Sequence, residues 1–371
     1  MIRNHKIVNI VLFMSFLVGC LLLNIFHPTQ AFSPNENRNL AQLPKFTLDK
    51  LFKDKYTVEF ENFITDQFIF RDQWVEGKTI MERLLGKLEN NGVYFGKDDT
   101  LIERIPSVNV DQVNKNVKVL NQFINQLSKD VQVDMMLIPG ASSILLDKLP
   151  WMSDDVDQLA YINQIEKAMS SRVNFINVNQ EFLDHASDEI YFRTDHHFNL
   201  AGSKIAYEAY MNALGIKPHE VQSTLVKEGF LGTLGSSSGA YYTKKDDIYK
   251  VMNDENITVY YPDTKLSDNN VYLEDNLTVK DKYTYYLNGN HSQVNIKTNQ
   301  VGKEKLLILR DSYANIFTPY LVEDFEEITL LDLRYYKSSI SDYIKEYDID
   351  RVFIFYSGKN FMNDVNFTFL K

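Results

Sequence analysis

The sequence predicts an α/β fold, a parallel sheet flanked by helices, with a β-rich insertion and an N-terminal transmembrane helix. Three observations carry that expectation. From Val93 onward, short apolar strands alternate with amphipathic helical stretches. Between about residues 215 and 300 the alternation gives way to a glycine-rich, turn-rich pattern. At the N-terminus, Ile7 to Phe26 runs for 20 residues without a charge.

That first run, rising about 1.5 Å per residue, spans the roughly 30 Å of bilayer hydrocarbon. Arg3 and Lys6 precede it, so the positive-inside rule puts the N-terminus in the cytoplasm and the chain beyond about residue 30 outside. A retained signal anchor is favoured, because the run exceeds the roughly 7–15 residue core of a cleaved signal. Two alternatives stand beside it. Leu17-Val18-Gly19-Cys20 resembles a lipobox, although Leu21-Leu22-Leu23 is unusually apolar for a mature lipoprotein, and a cleaved signal would end near Thr29-Gln30-Ala31. All three export the remainder of the chain. The expected organisation is a cytoplasmic stub and anchor over 1–30, a linker and helical extension over 31–92, and the α/β domain over 93–371.

Composition bounds the function classes. A 371-residue chain that is 44% hydrophobic can bury a substantial core. Asp and Glu outnumber Lys and Arg 50 to 39, a formal charge of -11, which leaves no basic footprint for a nucleic-acid partner. Cys20 is the only cysteine, so neither an intramolecular disulfide nor a cysteine zinc cluster can form.

Along the exported part, Phe32 to Phe46 contains Pro34 and Pro44 and reads as an extended linker. Leu51 to Leu88 carries apolar residues at helical spacing and ends at an Asn90-Asn91-Gly92 turn. Val113, Val117, Leu120, Ile124 and Leu127 share one helical face. Strands are expected at Val133 to Ile138, Val173 to Val178, Lys305 to Leu309, Ile328 to Leu333 and Val352 to Tyr356. Several are continuously apolar, as parallel strands covered on both faces are. Within the insertion, Lys282 to Leu287 and Gln293 to Lys297 flank Asn288-Gly289 and predict an antiparallel hairpin.

Two elements could carry chemistry. The chain has seven histidines, and two are adjacent in Arg193-Thr194-Asp195-His196-His197-Phe198-Asn199, ahead of a helix for which Asn199 is the expected N-cap. A carboxylate two residues from an imidazole can accept its Nδ1 proton and leave Nε2 free as a base; the plainer reading is a metal-binding or solvated turn. In Leu306-Leu307-Ile308-Leu309-Arg310-Asp311-Ser312-Tyr313, an apolar strand delivers a serine to a turn at the carboxyl edge of the sheet. Backbone N–H groups there can face a developing oxyanion, although an ordinary N-cap looks the same in sequence.

Taken together, the Asp-x-His loop and the later strand-Asp-Ser-Tyr element resemble the SGNH-like alginate O-acetyltransferase family and its Gram-positive relatives named for an Asp-His-His-Trp motif. The Asp-x-His pair precedes the serine, the permuted order of that family relative to ordinary SGNH esterases. Asn35 to Leu40, Asp66 to Asp72, Val93 to Gly96 and Phe230 to Thr233 look like its recurring blocks, and Phe198 stands where the family name has Trp. The resemblance implies an SGNH-hydrolase-like sheet with Ser312 as nucleophile, His197 as general base and Asp195 as its orienter. The expected oxyanion donors are the N–H of Ser312 or Tyr313 and the side chain of Asn360; Arg334 is expected to bind substrate or to pair with Asp332.

It further implies acetyl transfer to a cell-surface polysaccharide, with no cofactor and with a membrane-bound O-acyltransferase as acetyl donor. Three alternatives remain at this level: an O-acetyl esterase with the same triad, a non-catalytic glycan-binding or scaffold protein, and a metal site at His196-His197, which lacks further clustered ligands.

Overall fold

The computed structural model describes residues 2–252 and 256–370; Met1, in the stub expected to be cytoplasmic, and Lys371, at the end of the expected α/β region, lie outside them. The chain divides into two compact units. One runs to Lys87 and includes Gly239–Tyr242, and the other comprises Leu88–Ser238 and the chain from Thr243 onward.

In the first unit the N-terminal helix Ile2–Phe26 contains a stretch, Lys6–Phe26, long and apolar enough to cross a membrane. The single helical run expected over Leu51 to Leu88 is three helices, Leu48–Phe52, Lys55–Asp66 and Arg71–Leu84. Asp54 and Phe70, both at φ 57°, break it, because a left-handed residue cannot continue a right-handed helix. Two of the family-like blocks meet here: Arg38 donates to both Asp66 oxygens at 2.8 and 2.6 Å, and Asn35 donates to Asp72 at 2.6 Å.

The second unit is built on a sheet that has eight strands among the described residues. In order across it they are Leu266–Asp268, Thr258–Tyr261, Gln293–Lys297, Glu327–Leu331, Lys305–Arg310, Arg351–Ser357, Gln132–Ile138 and Val173–Phe175. The last five are mutually parallel; four of them are buried on both faces and read as largely apolar runs, whereas the edge strand Val173–Phe175 is only partly buried. Leu306 and Ile308 enter one core, while Leu307 and Leu309 enter a second on the opposite face with Val117, Leu120 and Ile124 of the helix Val110–Gln126.

The insertion departs from expectation. Lys282–Tyr285 is a 3-10 turn rather than a hairpin strand, and Gln293–Lys297 pairs instead with Thr258–Tyr261 and Glu327–Leu331. The alternating pattern at 282–287 arises because Tyr283, Tyr285, Tyr286 and Leu287 are all buried. Part of the insertion thus extends the central sheet in antiparallel fashion, with Val259, Tyr261, Val294 and Ile296 feeding one core. Another part is a separate antiparallel ribbon of Ser223–Phe230 and Asp246–Val251.

Candidate active site

The helix Leu200–Ala213 begins at Asn199, whose side chain accepts from Ala201 N at 2.9 Å and Gly202 N at 3.1 Å. This cap fixes the end of the Asp195–His197 loop. Ser312 follows the strand Lys305–Arg310 and precedes the short helix Tyr313–Phe317. The fold brings the two elements together. Ser312 Oγ lies 2.8 Å from His197 Nε2, and His197 Nδ1 lies 2.6 Å from Asp195 Oδ1. All three are buried, with 8%, 4% and 3% of their surface exposed, so water does not screen the array.

Residues to which sequence reading gave no role hold this array in position. The second Asp195 oxygen accepts from Thr233 N at 2.8 Å and Thr233 Oγ1 at 3.0 Å. Asp246, on the ribbon, accepts from Arg193 N at 2.6 Å, Thr194 N at 2.8 Å and Thr194 Oγ1 at 2.5 Å. Tyr283 grips both halves of the Ser-His pair: its ring stacks on His197 at 3.9 Å and 9°, and its hydroxyl donates to the Ser312 carbonyl at 2.8 Å. Gly232 and Thr233 had a signal in the Phe230–Thr233 block. Tyr283 and Asp246 had none, since they look like any other insertion residues.

Tyr283 supports a separable test. A face-on aromatic ring favours an imidazolium, so Tyr283→Leu is expected to lower kcat for an activated ester about tenfold or more with little change in KM. Tyr283→Phe keeps the stack and is expected to lose less. Equal kcat in both variants and the wild type would show the stack to be packing alone.

The oxyanion candidates fare differently. Asp311 accepts from Tyr313 N at 3.0 Å through one oxygen, and from Ser357 N, Ser357 Oγ and Asn360 Nδ2 at 2.9, 2.8 and 2.8 Å through the other. The Tyr313 N–H is therefore already spent inside the chain, whereas the Ser312 N–H has no acceptor among the described residues. Asn360 keeps its second amide hydrogen and lines a pocket of about 160 Å³ with His196, Tyr313, Ser142 and Leu234. Arg334 binds Asp332 at 2.9 and 2.6 Å and does not line that pocket, so it is an ion-pair partner. Phe198 is fully buried and meets the Tyr313 ring edge-on at 5.0 Å; it backs the site from the core.

Burial, followed by the electrostatic effect of His196, pulls the His197 imidazole down to about 4, against the opposing pull of Asp195. Burial acts to raise Asp195, but His196, His197 and the Thr233 hydrogen bond outweigh it and hold the carboxyl well below its ordinary range. The resting pair is thus an anion and a neutral base. Below its pKa His197 is protonated and cannot accept the serine proton, so ester turnover is expected to fall on acidification with a midpoint near 4. A midpoint near the unperturbed histidine value of about 6.5 in a kcat/KM profile would contradict this.

Asp195, His196 and His197 offer ligand atoms within 4.8 Å of one another. His196 Nδ1 is engaged with Thr233 Oγ1 at 2.8 Å, and both His197 ring nitrogens and both Asp195 oxygens are engaged as above. A cation would have to break that network.

The site is thus a buried, hydrogen-bonded Ser-His-Asp array at the carboxyl edge of a mostly parallel sheet in a mixed α/β protein. The DHHW protein family model matches residues 106–331, more than half of the chain and a span that holds all three residues; the chain belongs to the DHHW family. Its fold is similar to that of a DHHW family protein from Eubacterium siraeum, with a TM-score of 0.65, 22% identity, and coverage of 76% of this chain and 95% of the other. PatB1 of Bacillus cereus, solved with a sulfonyl adduct, gives 0.62 at 21% identity, covering 74% and 97%. No curated protein sequence matches the chain.

Proposed function

We propose that the chain is an extracytoplasmic, serine-dependent O-acetyltransferase that moves acetyl groups onto a cell-surface polysaccharide through an acetyl-serine intermediate. The single observation that carries this reading is the continuous hydrogen-bonded line from Ser312 Oγ through His197 to Asp195. Ser312 Oγ attacks the carbonyl carbon of an acetyl donor while its proton passes to His197 Nε2. The tetrahedral adduct collapses, the donor oxygen leaves with that proton, and acetyl-Ser312 remains. A sugar hydroxyl then gives its proton to His197 and attacks the ester, and the serine recovers the proton as it departs.

Ser312 N–H and the free Asn360 amide hydrogen are the donors proposed to face the oxyanion. A tether such as Lys6–Phe26 suits receipt of acetyl from a membrane-bound O-acyltransferase. The sulfonyl adduct of the similarly folded PatB1 makes a sulfonyl fluoride a natural probe of Ser312.

Incubating the full chain in detergent with an activated acetyl ester, with and without oligosaccharide, tests the reading. Acetylated sugar is the expected product. Acetate released at the same rate in both mixtures would make the protein an esterase, and no turnover in either would favour a non-catalytic glycan-binding or scaffold protein.

A further inference from the structure

We infer that the open groove between the helix Ile340–Glu346 and the outer face of the strands Thr258–Tyr261 and Gln293–Lys297 is a second binding site, and that its ligand is an uncharged glycan chain. The groove holds about 530 Å³, inside the range of about 300–1,000 Å³ that suits small ligands. The pocket of about 160 Å³ beside the triad is well below that range, so a polysaccharide needs a hold elsewhere. Any part the groove plays in acetyl transfer rests on the acyl-transfer reading, whereas the binding site itself does not.

The sheet sets the groove apart from the triad. Along Gln293–Lys297, Val294 and Ile296 enter the core that also holds Phe198 and Tyr313, so Gln293 and Asn295 point to the opposite face. Tyr260 lies directly opposite Asn295, and Asn295 directly opposite Thr329, which puts a row of aromatic and polar side chains across that face. The helix and the residue that caps it supply Tyr343 and Tyr347, whose rings stack at 4.3 Å.

The lining chooses the ligand. Its apolar side chains are tyrosines and Pro262, and no Leu, Ile, Val, Met or Phe among the described residues takes part. A docked helix or an acyl chain seeks aliphatic surface; a sugar ring instead lays its C–H face on an aromatic ring and turns its hydroxyls to polar groups. Tyr260 and Tyr347 are 38% and 45% exposed, so their rings are accessible. Gln293 Nε2 donates to Asn295 Oδ1 at 2.9 Å and to the Tyr343 hydroxyl at 3.2 Å, and that hydroxyl pairs with Thr329 Oγ1 at 3.2 Å. This network uses one end of each amide. Gln293 Oε1 and Asn295 Nδ2 have no partner among the described residues, and an acceptor and a donor from neighbouring positions of one face match a hydroxyl, which does both. The charged side chains of the lining are Asp342 and Glu346, four positions apart on the helix, and neither forms an ion pair among the described residues. Like charges at that spacing weaken a helix. Two carboxylates accept from hydroxyls and repel a polyanion.

The test is calorimetric binding to the full chain in detergent, with cellohexaose, mannohexaose and acetylated chitohexaose as uncharged probes and polygalacturonate and hexalysine as charged ones. At least one sugar is expected to bind, with an affinity little changed by salt because no charge is neutralised, and to bind Ser312→Ala equally well. Tyr260→Ala combined with Tyr347→Ala is expected to weaken that binding about tenfold or more, and Tyr260→Phe combined with Tyr347→Phe to keep most of it. Both rings are partly exposed, so melting temperatures are expected to stay near that of the wild type. Sugar affinity unchanged in the alanine pair overturns the groove. Binding of none of the three sugars, or a charged probe that outbinds them and loses its affinity in the alanine pair, overturns the uncharged glycan. Sugar binding without any ester turnover in the wild type sinks the acyl-transfer reading and leaves the groove standing. Turnover without sugar binding sinks the groove alone.

Discussion

Replacing Ser312 with alanine is expected to lower turnover of an activated acetyl ester by at least about a thousandfold, with the melting temperature nearly unchanged. The size follows from function: when nucleophile and base act as a unit, losing either removes most of the catalysis, and the residual rate comes from oxyanion stabilisation and binding. The small structural cost follows from packing, because the Ser312 hydroxyl is bonded to His197 Nε2 and the turn itself is held by Asp311 and Tyr283. Asp195→Asn keeps the shape but offers an amide where the imidazole proton needs an anion, and is expected to lose a comparable factor. Initial rates with the full chain in detergent, read beside thermal melts, separate catalysis from folding. Wild-type rates in Ser312→Ala would end the proposal.

The second large effect is expected from a residue with no side chain. A Cβ built at Gly232 would lie 2.4 Å from Asp195 Cβ, 2.6 Å from Asp195 Oδ2 and 2.7 Å from the Thr194 carbonyl oxygen. None of these is the far end of a flexible chain, so Gly232→Ala must displace the carboxylate or the loop that carries it. We expect kcat to fall about a hundredfold, the order associated with a 1 Å misplacement of a reacting group, together with about 1–3 kcal/mol of overpacking destabilisation. Gly77→Ala is the control: nothing lies within 4 Å of its Cβ, and it sits inside the helix Arg71–Leu84, where alanine is favoured over glycine. Unaltered kcat in Gly232→Ala would mean that the Asp195 position tolerates movement and that the array is less constrained than its contacts imply.

The parallel strands were legible because their signal is local: a run such as Lys305–Arg310 is apolar residue by residue, and no distant partner is needed to recognise it. The segment 282–287 misled for the same reason. Its alternation is equally local, but the burial of Tyr283, Tyr285 and Tyr286 comes from packing around a 3-10 turn rather than from a strand face. The family-like blocks of the first unit were visible as residue patterns, yet only the Arg38–Asp66 and Asn35–Asp72 hydrogen bonds give them a physical purpose.

The sequence by itself determined the chemical inventory: an apolar segment long enough to cross a membrane, an acid and an imidazole two residues apart, and a serine at the end of an apolar strand, each defined by neighbours within a few positions. Tertiary structure alone decided that Ser312 meets His197 across 115 residues, that Tyr283 stacks on the base, that Asp246 braces its loop, and that Asp311 takes the Tyr313 N–H. The reason is geometric. Periodicity records which face of an element is buried, but which distant side chain shares that burial depends on strand order and on how the insertion folds back, and neither leaves a mark at fixed spacing along the chain.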